Sequence, residues 1–387
     1  MNRTYQLQNG TDAPDLSGHQ PPVIRKKLLN WYSQHRRPLP WRLKWETHRD
    51  PYHVWVSEIM LQQTLIRVVI PVYERFLEVF PDPASLARAD EAQIRTQVRG
   101  LGYYRRFSLL HKGVRQILEQ SGSSSGSSAS DRMNWPETFG GWKAISGVGD
   151  YTAAAIGSIC FGLPKGAVDG NVERILCRLL DIRLPVGLAR LKKHFQSMMD
   201  QMICQHSPGD FNQAMMELGQ HICRPQQPLC AQCPLVSVCQ ANKNQSVSLA
   251  PAPKIRQTPG DVHLRLTIIR DGSRYALLKR PADARFLKAT EGFRTEIYGA
   301  DGVNPDGRLS CPRIPQPKQL LGTVRHHITH HRIKADVFLI KPGISAQADP
   351  RFHWYPREAI EEKLLSNLDR KAWTLYLDSD LSGIRAV

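Results

Sequence analysis

The sequence predicts two folds in one chain: an all-helical domain over about the first 240 residues and a mixed α and β domain over about the last 125. Three observations carry this. Apolar residues recur at helical spacing from Val23 to His221, punctuated by glycine and proline. At Gln240 the composition changes into a stretch holding Pro251, Pro253, Pro259, Lys254 and Arg256. Strict alternation of apolar and polar residues then starts at Val262.

The bulk numbers agree. A chain of 387 residues has room for two domains, and 41% apolar content is that of a globular protein. Lys and Arg number 52 against 35 Asp and Glu, a formal charge of +17. Such an excess favours a polyanionic partner, because phosphate neutralisation supplies most non-specific nucleic-acid binding, although charge also keeps proteins soluble. No apolar run approaches the ~18 residues that span a bilayer, so no membrane partner is expected. Residues 1–21 are polar, without the apolar core of a signal peptide, and read as a disordered leader of a cytoplasmic protein. In that compartment the eight cysteines are thiols or metal ligands rather than disulfides.

Taken in order, Val23–His35 is an amphipathic helix ended by Arg36-Arg-Pro-Leu-Pro-Trp-Arg42, which the prolines predict to be extended. Pro51–Thr64 opens a long helical region. Within it Glu58 stands among Val54, Val56, Ile59 and Leu61, where a carboxylate is costly to bury; the same residues also fit a glutamate on the polar side of an amphipathic helix. Helices follow at Pro71–Phe80, Ser85–Ala89, Glu91–Val98 and Arg105–Gln120. The turn Gly100-Leu-Gly-Tyr-Tyr-Arg-Arg106 combines aromatic rings, which stack on or wedge between bases, with cations that hold phosphate; Tyr103 and Tyr104 fit a helix-start core equally well. Ser121–Ser130 is a Ser/Gly loop with nothing to pack.

Two stretches then suggest chemistry. Ala144-Ile-Ser-Gly-Val-Gly-Asp150 is a tight turn feeding a small-residue helix, a place where free N–H groups meet phosphate. Val168-Asp-Gly-Asn-Val172 positions one acid, Asp169, before a further helix. Helices at Asn171–Leu180, Leu188–Cys204 and Phe211–His221 lead into Cys223, Cys230, Cys233 and Cys239. Four thiols within 17 residues, in loops broken by Pro225, Pro228 and Pro234, form a metal site that suits zinc or an iron–sulfur cluster by spacing alone. Cys160, Cys177, Cys204 and Cys311 are scattered and incidental. Residues 241–261 read as a linker. Beyond it lie strands at Val262–Arg270, Tyr275–Lys279, Leu320–Arg325 and Ile333–Ile340, then helices at Trp354–Leu365 and Leu368–Leu377.

Ser57-Glu-Ile-Met-Leu-Gln-Gln-Thr64, Gly100-Leu-Gly-Tyr-Tyr104, Gly147-Val-Gly149, Val168-Asp-Gly-Asn-Val172 and the four-cysteine spacing occur in this order. Together they resemble the MutY-type adenine DNA glycosylases of the endonuclease III, helix-hairpin-helix superfamily. The resemblance is dense over 37–240 and weaker over 262–387, which is similar to that family's Nudix-like recognition domain. It implies a helix-hairpin-helix glycosylase over 22–240 with a [4Fe–4S] cluster on Cys223, Cys230, Cys233 and Cys239, and a Nudix-like α/β domain over 262–387. The implied activity is removal of adenine mispaired with 8-oxoguanine or guanine in double-stranded DNA, by a nucleoid-associated monomer in base excision repair.

Residue by residue, the resemblance makes Glu58 the general acid and Asp169 the second carboxylate, with Asn171 orienting Asp169 or the water. Adenine flipped from the duplex would meet Arg37, Leu39, Trp41 and Glu217. Gln62, Gln63, Thr64 and Tyr103 would contact the opposite base, and Gly147 and Gly149 would offer N–H groups to phosphate. Relatives that also cut the strand carry a Schiff-base lysine where this chain has Tyr151, so a monofunctional enzyme is expected. The family's Phe-Ser-His loop reads Ile328-Thr329-His330 here, keeping a hydroxyl and the histidine without the aromatic ring. No glutamate-rich pyrophosphatase motif occurs over 280–310. A bifunctional pyrimidine glycosylase, a catalytically dead DNA-binding module and a zinc-ribbon regulator are the competing readings. Tyr151 opposes the first and the paired Glu58 and Asp169 the second; the zinc protein would be colourless, whereas the cluster is yellow-brown.

Overall fold

Five helices among the described residues start on a proline, whose missing N–H costs nothing in a helical first turn. One of them corrects the expected extended segment at 36–42: Pro40 opens a helix directly after the extended residue Leu39. The computed structural model describes residues 20–121, 133–253, 260–281, 286–287, 290–298, 319–328, 331–341 and 349–381. They fall into two compact units, Met1–Lys254 and Ile255–Val387. No described helix is long and apolar enough to cross a membrane.

The first unit is helical: α1 Pro21–His35, α2 Pro40–His48, α3 Pro51–Leu61, α4 Ile66–Val79, α5 Pro83–Arg88, α6 Glu91–Gln97, α7 Arg105–Ser121, α8 Phe139–Ala144, α9 Asp150–Phe161, α10 Gly170–Leu179, α11 Ala189–Met202, α12 Pro208–His221 and α13 Gln240–Lys243. α4 begins five residues before the expected start at Pro71 and encloses that proline; its apolar face of Val69, Val72, Tyr73, Phe76 and Leu77 holds it against the core. Two large cores form among the described residues of the unit. One gathers α3, α4, α7, α8 and α9 around Trp55, Tyr73, Phe76, Phe107 and Trp142. The other joins α1 to α10, α11 and α12 through Leu28, Ile175, Phe195 and Phe211.

Residues 241–250, expected to be linker, pack on this helical unit. Ala241 and Ala250 are buried. The buried Asp181 accepts from Ser246 Oγ (2.5 Å) and Asn244 Nδ2 (3.0 Å), and Arg178 Nε donates to the Ala250 carbonyl at 2.9 Å.

The second unit is a mixed sheet: β1 Gly260–Asp271, β2 Arg274–Lys279, β3 Glu291–Gly292, β4 Arg294–Tyr298, β5 Gln319–Ile328, β6 His331–Ile340 and β7 Phe352–Pro356. The order is β3-β2-β1-β6-β5, with β4 on β1 and β7 on β2. β1 and β6 run parallel and the other pairs antiparallel. Helices α14 Arg357–Lys363 and α15 Asn367–Leu381 cover the Val262, Leu264, Leu266, Ile333 and Val337 side. Trp354 lies in β7 rather than in the expected helix, which begins after Pro356. β3 and β4 lie within residues 280–318, a stretch whose sequence carries no clear strand alternation and reads as loop-rich.

Candidate active site

α3 is buried on every side from Pro51 to Met60, and this rules out the surface-glutamate reading of Glu58. The Glu58 side chain is only 6% exposed. Burial pushes its carboxyl up from an ordinary 4.5 to about 7; a hydrogen bond from Tyr151 opposes the rise and the charge of Asp169 adds to it. Tyr151, in the first turn of α9, is itself held well above the ordinary phenol range by burial and by both carboxylates. Its hydroxyl also lies 3.6 Å from Met216 Sδ.

Asp169 is the N-cap of α10. Its Oδ1 accepts from the Asn171 and Val172 N–H groups at 2.9 and 2.8 Å, and its Oδ2 from Asn171 Nδ2 at 2.8 Å. Two orphan donors of the helix start are thereby satisfied, and the positive end of the helix faces the acid. Arg174 Nη2 donates to Asn171 Oδ1 (3.0 Å) while its Nε donates to the Cys223 carbonyl (2.8 Å), linking this cap to the cysteine loop.

Glu58 opens on a pocket that all four residues assigned to the base pocket, Arg37, Leu39, Trp41 and Glu217, also line. The sequence reading missed Arg42, Gln213, Met216 and Gln220, which line it too. Arg37 donates to Glu217 (2.8 Å) and Gln220 (2.7 Å), while Arg42 donates to Gln213 (2.9 Å) and Glu217 (3.2 Å). Glu217 is thus a buried anion shared by two arginines. Glu217→Ala is expected to destabilise the helical unit by about 3–5 kcal/mol, because Arg42 is left buried without its counter-ion. Denaturant unfolding measures this; a loss below about 1 kcal/mol would show the pair to be no stronger than a surface one.

Next to the cavity, Gln62 caps α3, Gln63 takes a left-handed backbone (φ 57°), and Thr64 donates through Oγ1 to the Gln62 carbonyl. Tyr103 is also left-handed (φ 47°) and 57% exposed, so it is not a core residue, whereas Tyr104 packs against the core. Gly147 has φ 81° and a Cβ there would stand 2.7 Å from Leu109 Cβ, so the turn requires glycine. Gly149 meets no such limit; it is the N-cap of α9, and with no side-chain cap it leaves N–H groups free. Lys143 and Lys192 flank Asp150 at the same helix start. Thr329 and His330 lie outside the described residues.

The four cysteines line one pocket with Arg178, Ile222 and Val236. Arg178 donates to Cys223 Sγ at 3.3 Å and to the Arg224 carbonyl at 2.7 Å, placing a buried cation beside sulfur. Burial raises the thiols of Cys233 to about 12 and Cys239 to about 11, and raises Cys230. Among the described residues no group of three or more His, Cys, Asp or Glu is drawn tightly enough to hold one metal ion. The donor set nevertheless fits a thiolate-held cluster: four sulfurs around one opening, with a cation to balance their charge.

Residues 56–184 match the profile of the HhH-GPD superfamily of base excision DNA repair proteins. The chain is 39% identical over 258 residues to the adenine DNA glycosylase of Homo sapiens, covering 63% of this chain and 46% of that protein. It is 33% identical over 411 residues to that of Arabidopsis thaliana, covering 92% and 63%. The chain thus spans less than half of the human relative's length. A solved structure described as a thermostable thymine-DNA glycosylase aligns with TM-score 0.50 at 22% identity, covering 59% of this chain and all of that one, a likeness of fold alone.

Proposed function

We infer, from a helical unit whose residues 56–184 match the HhH-GPD superfamily of base excision DNA repair proteins, that this protein is an adenine DNA glycosylase acting on adenine opposite 8-oxoguanine or guanine in duplex DNA. The observation that carries the reading is Glu58: a buried carboxyl pushed up to about 7, on the wall of a pocket that combines apolar side chains with the hydrogen-bonding groups of Arg37, Arg42, Gln213 and Glu217. A carboxyl with that pKa is both present as the acid and ready to give its proton near neutral pH. The target nucleotide is flipped from the stack into the cavity, where Arg37, Arg42, Gln213 and Glu217 face its polar edges and Trp41 its plane.

As the C1′–N9 bond breaks, the electron pair leaves with the purine and the Glu58 proton goes to it, at N7. Positive charge develops on the sugar, and Asp169, held by three N–H donors, stabilises it in the manner of two-carboxylate glycosidases. Water then adds to C1′ and gives its proton to a carboxylate. Tyr151 offers no amine for an imine, so the product is an abasic site with the strand intact. Gln62, Gln63, Thr64 and Tyr103 face the opposite base, and the turn through Gly147 and Gly149 takes phosphate. Cys223, Cys230, Cys233 and Cys239 would hold a [4Fe–4S] cluster, which supplies cross-linking of the loop between Cys223 and Cys230 rather than a reaction step.

Single-turnover cleavage tests this on adenine opposite 8-oxoguanine, guanine and thymine, and on thymine glycol opposite adenine, each with and without alkali. Adenine release opposite 8-oxoguanine, with breakage only after alkali, is expected. Cleavage of the thymine glycol duplex, or breakage without alkali, would assign the bifunctional class instead. Elemental analysis of the same preparation should find about four irons per chain; zinc in their place would overturn the cluster assignment.

A further inference from the structure

Arg106 is the most heavily engaged buried cation beside the candidate site, and nothing in the chemistry above uses it. It stands in the first turn of α7 and is 7% exposed. Nη1 donates to the carbonyls of Ile59 (3.0 Å) and Met60 (3.1 Å) and to that of Gln62; Nη2 donates to Thr64 Oγ1 (2.9 Å) and the Leu101 carbonyl (3.2 Å). Its guanidinium lies 4.9 Å from the Phe107 ring centre. Among the described residues it forms no ion pair, and every acceptor above belongs to one of two segments. The first is the end of α3 with the loop Gln62–Thr64; the second is the turn Gly100–Tyr104.

Both segments are conformationally expensive. Gln63 and Tyr103 have left-handed backbones, and Gly100 and Gly102 have φ of 92° and 67°. The last carbonyls of α3 would lack partners without the guanidinium, since a helix end leaves four of them unsatisfied. Only arginine carries enough donors in a fixed planar fork to serve a helix end, a hydroxyl and a second loop together; a lysine ammonium has three donors on one atom.

We propose that Arg106 is a positioning residue that fixes the Gln62–Thr64 loop and the Gly100–Tyr104 turn to one another, so that the two present a single preformed surface to the base opposite the target. The proposal rests on the assignment of these loops to the opposite base. Preorganisation of this kind concentrates its effect on discrimination, because both loops must be in place before the lesion is contacted.

The test is equilibrium binding by the full chain in a Glu58→Gln background, with and without Arg106→Lys. Duplexes carry adenine opposite 8-oxoguanine or thymine. Preference for the 8-oxoguanine duplex is expected to fall about tenfold or more on loss of the bridging hydrogen bonds, while affinity for the adenine–thymine duplex stays within about threefold. An unchanged preference, or equal weakening on both duplexes, would overturn the proposal. Hydrogen exchange of the free protein separates this from the functional reading. Thr64→Val should speed exchange in the 100–104 turn, across the guanidinium, whichever duplex the wild type prefers. Exchange altered only at 62–64 would refute the coupling, whereas a wild type with no preference for 8-oxoguanine would refute the assignment of the loops.

Discussion

Glu58→Gln is expected to lower the single-turnover rate of adenine release by about 10²–10⁴-fold, the range for losing a positioned general acid, with duplex binding retained. The substitution is nearly isosteric, and the neutral amide suits a site whose burial already favours the uncharged carboxyl. The same burial sets the pH profile. The active form is protonated, so the wild-type rate should be flat below about pH 7 and fall tenfold per unit above it. Stability follows the same sign: a carboxyl raised from 4.5 to about 7 on folding contributes stability that is present below 4.5 and lost as pH rises through about 7. Glu58→Gln should therefore gain in melting temperature relative to wild type across that window and hold the gain above it. A mutant rate within tenfold of wild type, or a wild-type profile that rises through pH 7, would remove Glu58 from the role of acid.

Asp169→Asn is expected to cost about 10²–10³-fold in the same assay, the scale of losing one preorganised electrostatic contact to the transition state. Asparagine caps helices as well as aspartate does, so the amide oxygen can keep the Asn171 and Val172 N–H bonds and α10 should stay folded. What disappears is the negative charge, and the new amide nitrogen faces the Asn171 Nδ2 donor in place of an acceptor. Because Asp169 also raises the Glu58 carboxyl, the falling limb of the pH profile should move to lower pH in the mutant. The rate and the midpoint are independent readings. A drop in rate with no shift of the limb would place Asp169 too far from Glu58 for the coupling described; a rate within about threefold of wild type would exclude it from stabilising the sugar.

What the sequence made legible follows physical range. The hairpin glycines, the α10 cap and the cysteine run are local, and each is written in consecutive residues. Glu58 is different. Val54, Val56, Ile59 and Leu61 are compatible with a half-buried helix, and only the packing of α3 on all sides turns the carboxyl inward. Arg42 and Gln213 are farther still from legibility: they meet across 171 positions, and nothing near either residue signals the other. The clearest local trace of Arg42 is its place after Trp41, obscured because Pro38 and Pro40 read as an extended stretch when Pro40 in fact opens α2. Pro71 misled in the opposite sense, marking a start where the helix already ran, since tertiary burial of one apolar face outweighs a single missing hydrogen bond.

The contacts of residues 241–250 with the helical unit decide where this chain can be recombined. A graft that exchanged the second domain at Gln240 would carry away the Ser246 and Asn244 donors of a buried aspartate and the acceptor of Arg178, the cation that touches Cys223. Joined after Pro253, the same graft would leave the cysteine pocket and its supports untouched. The interchangeable module is therefore shorter than the change in composition suggests, and the helical one longer.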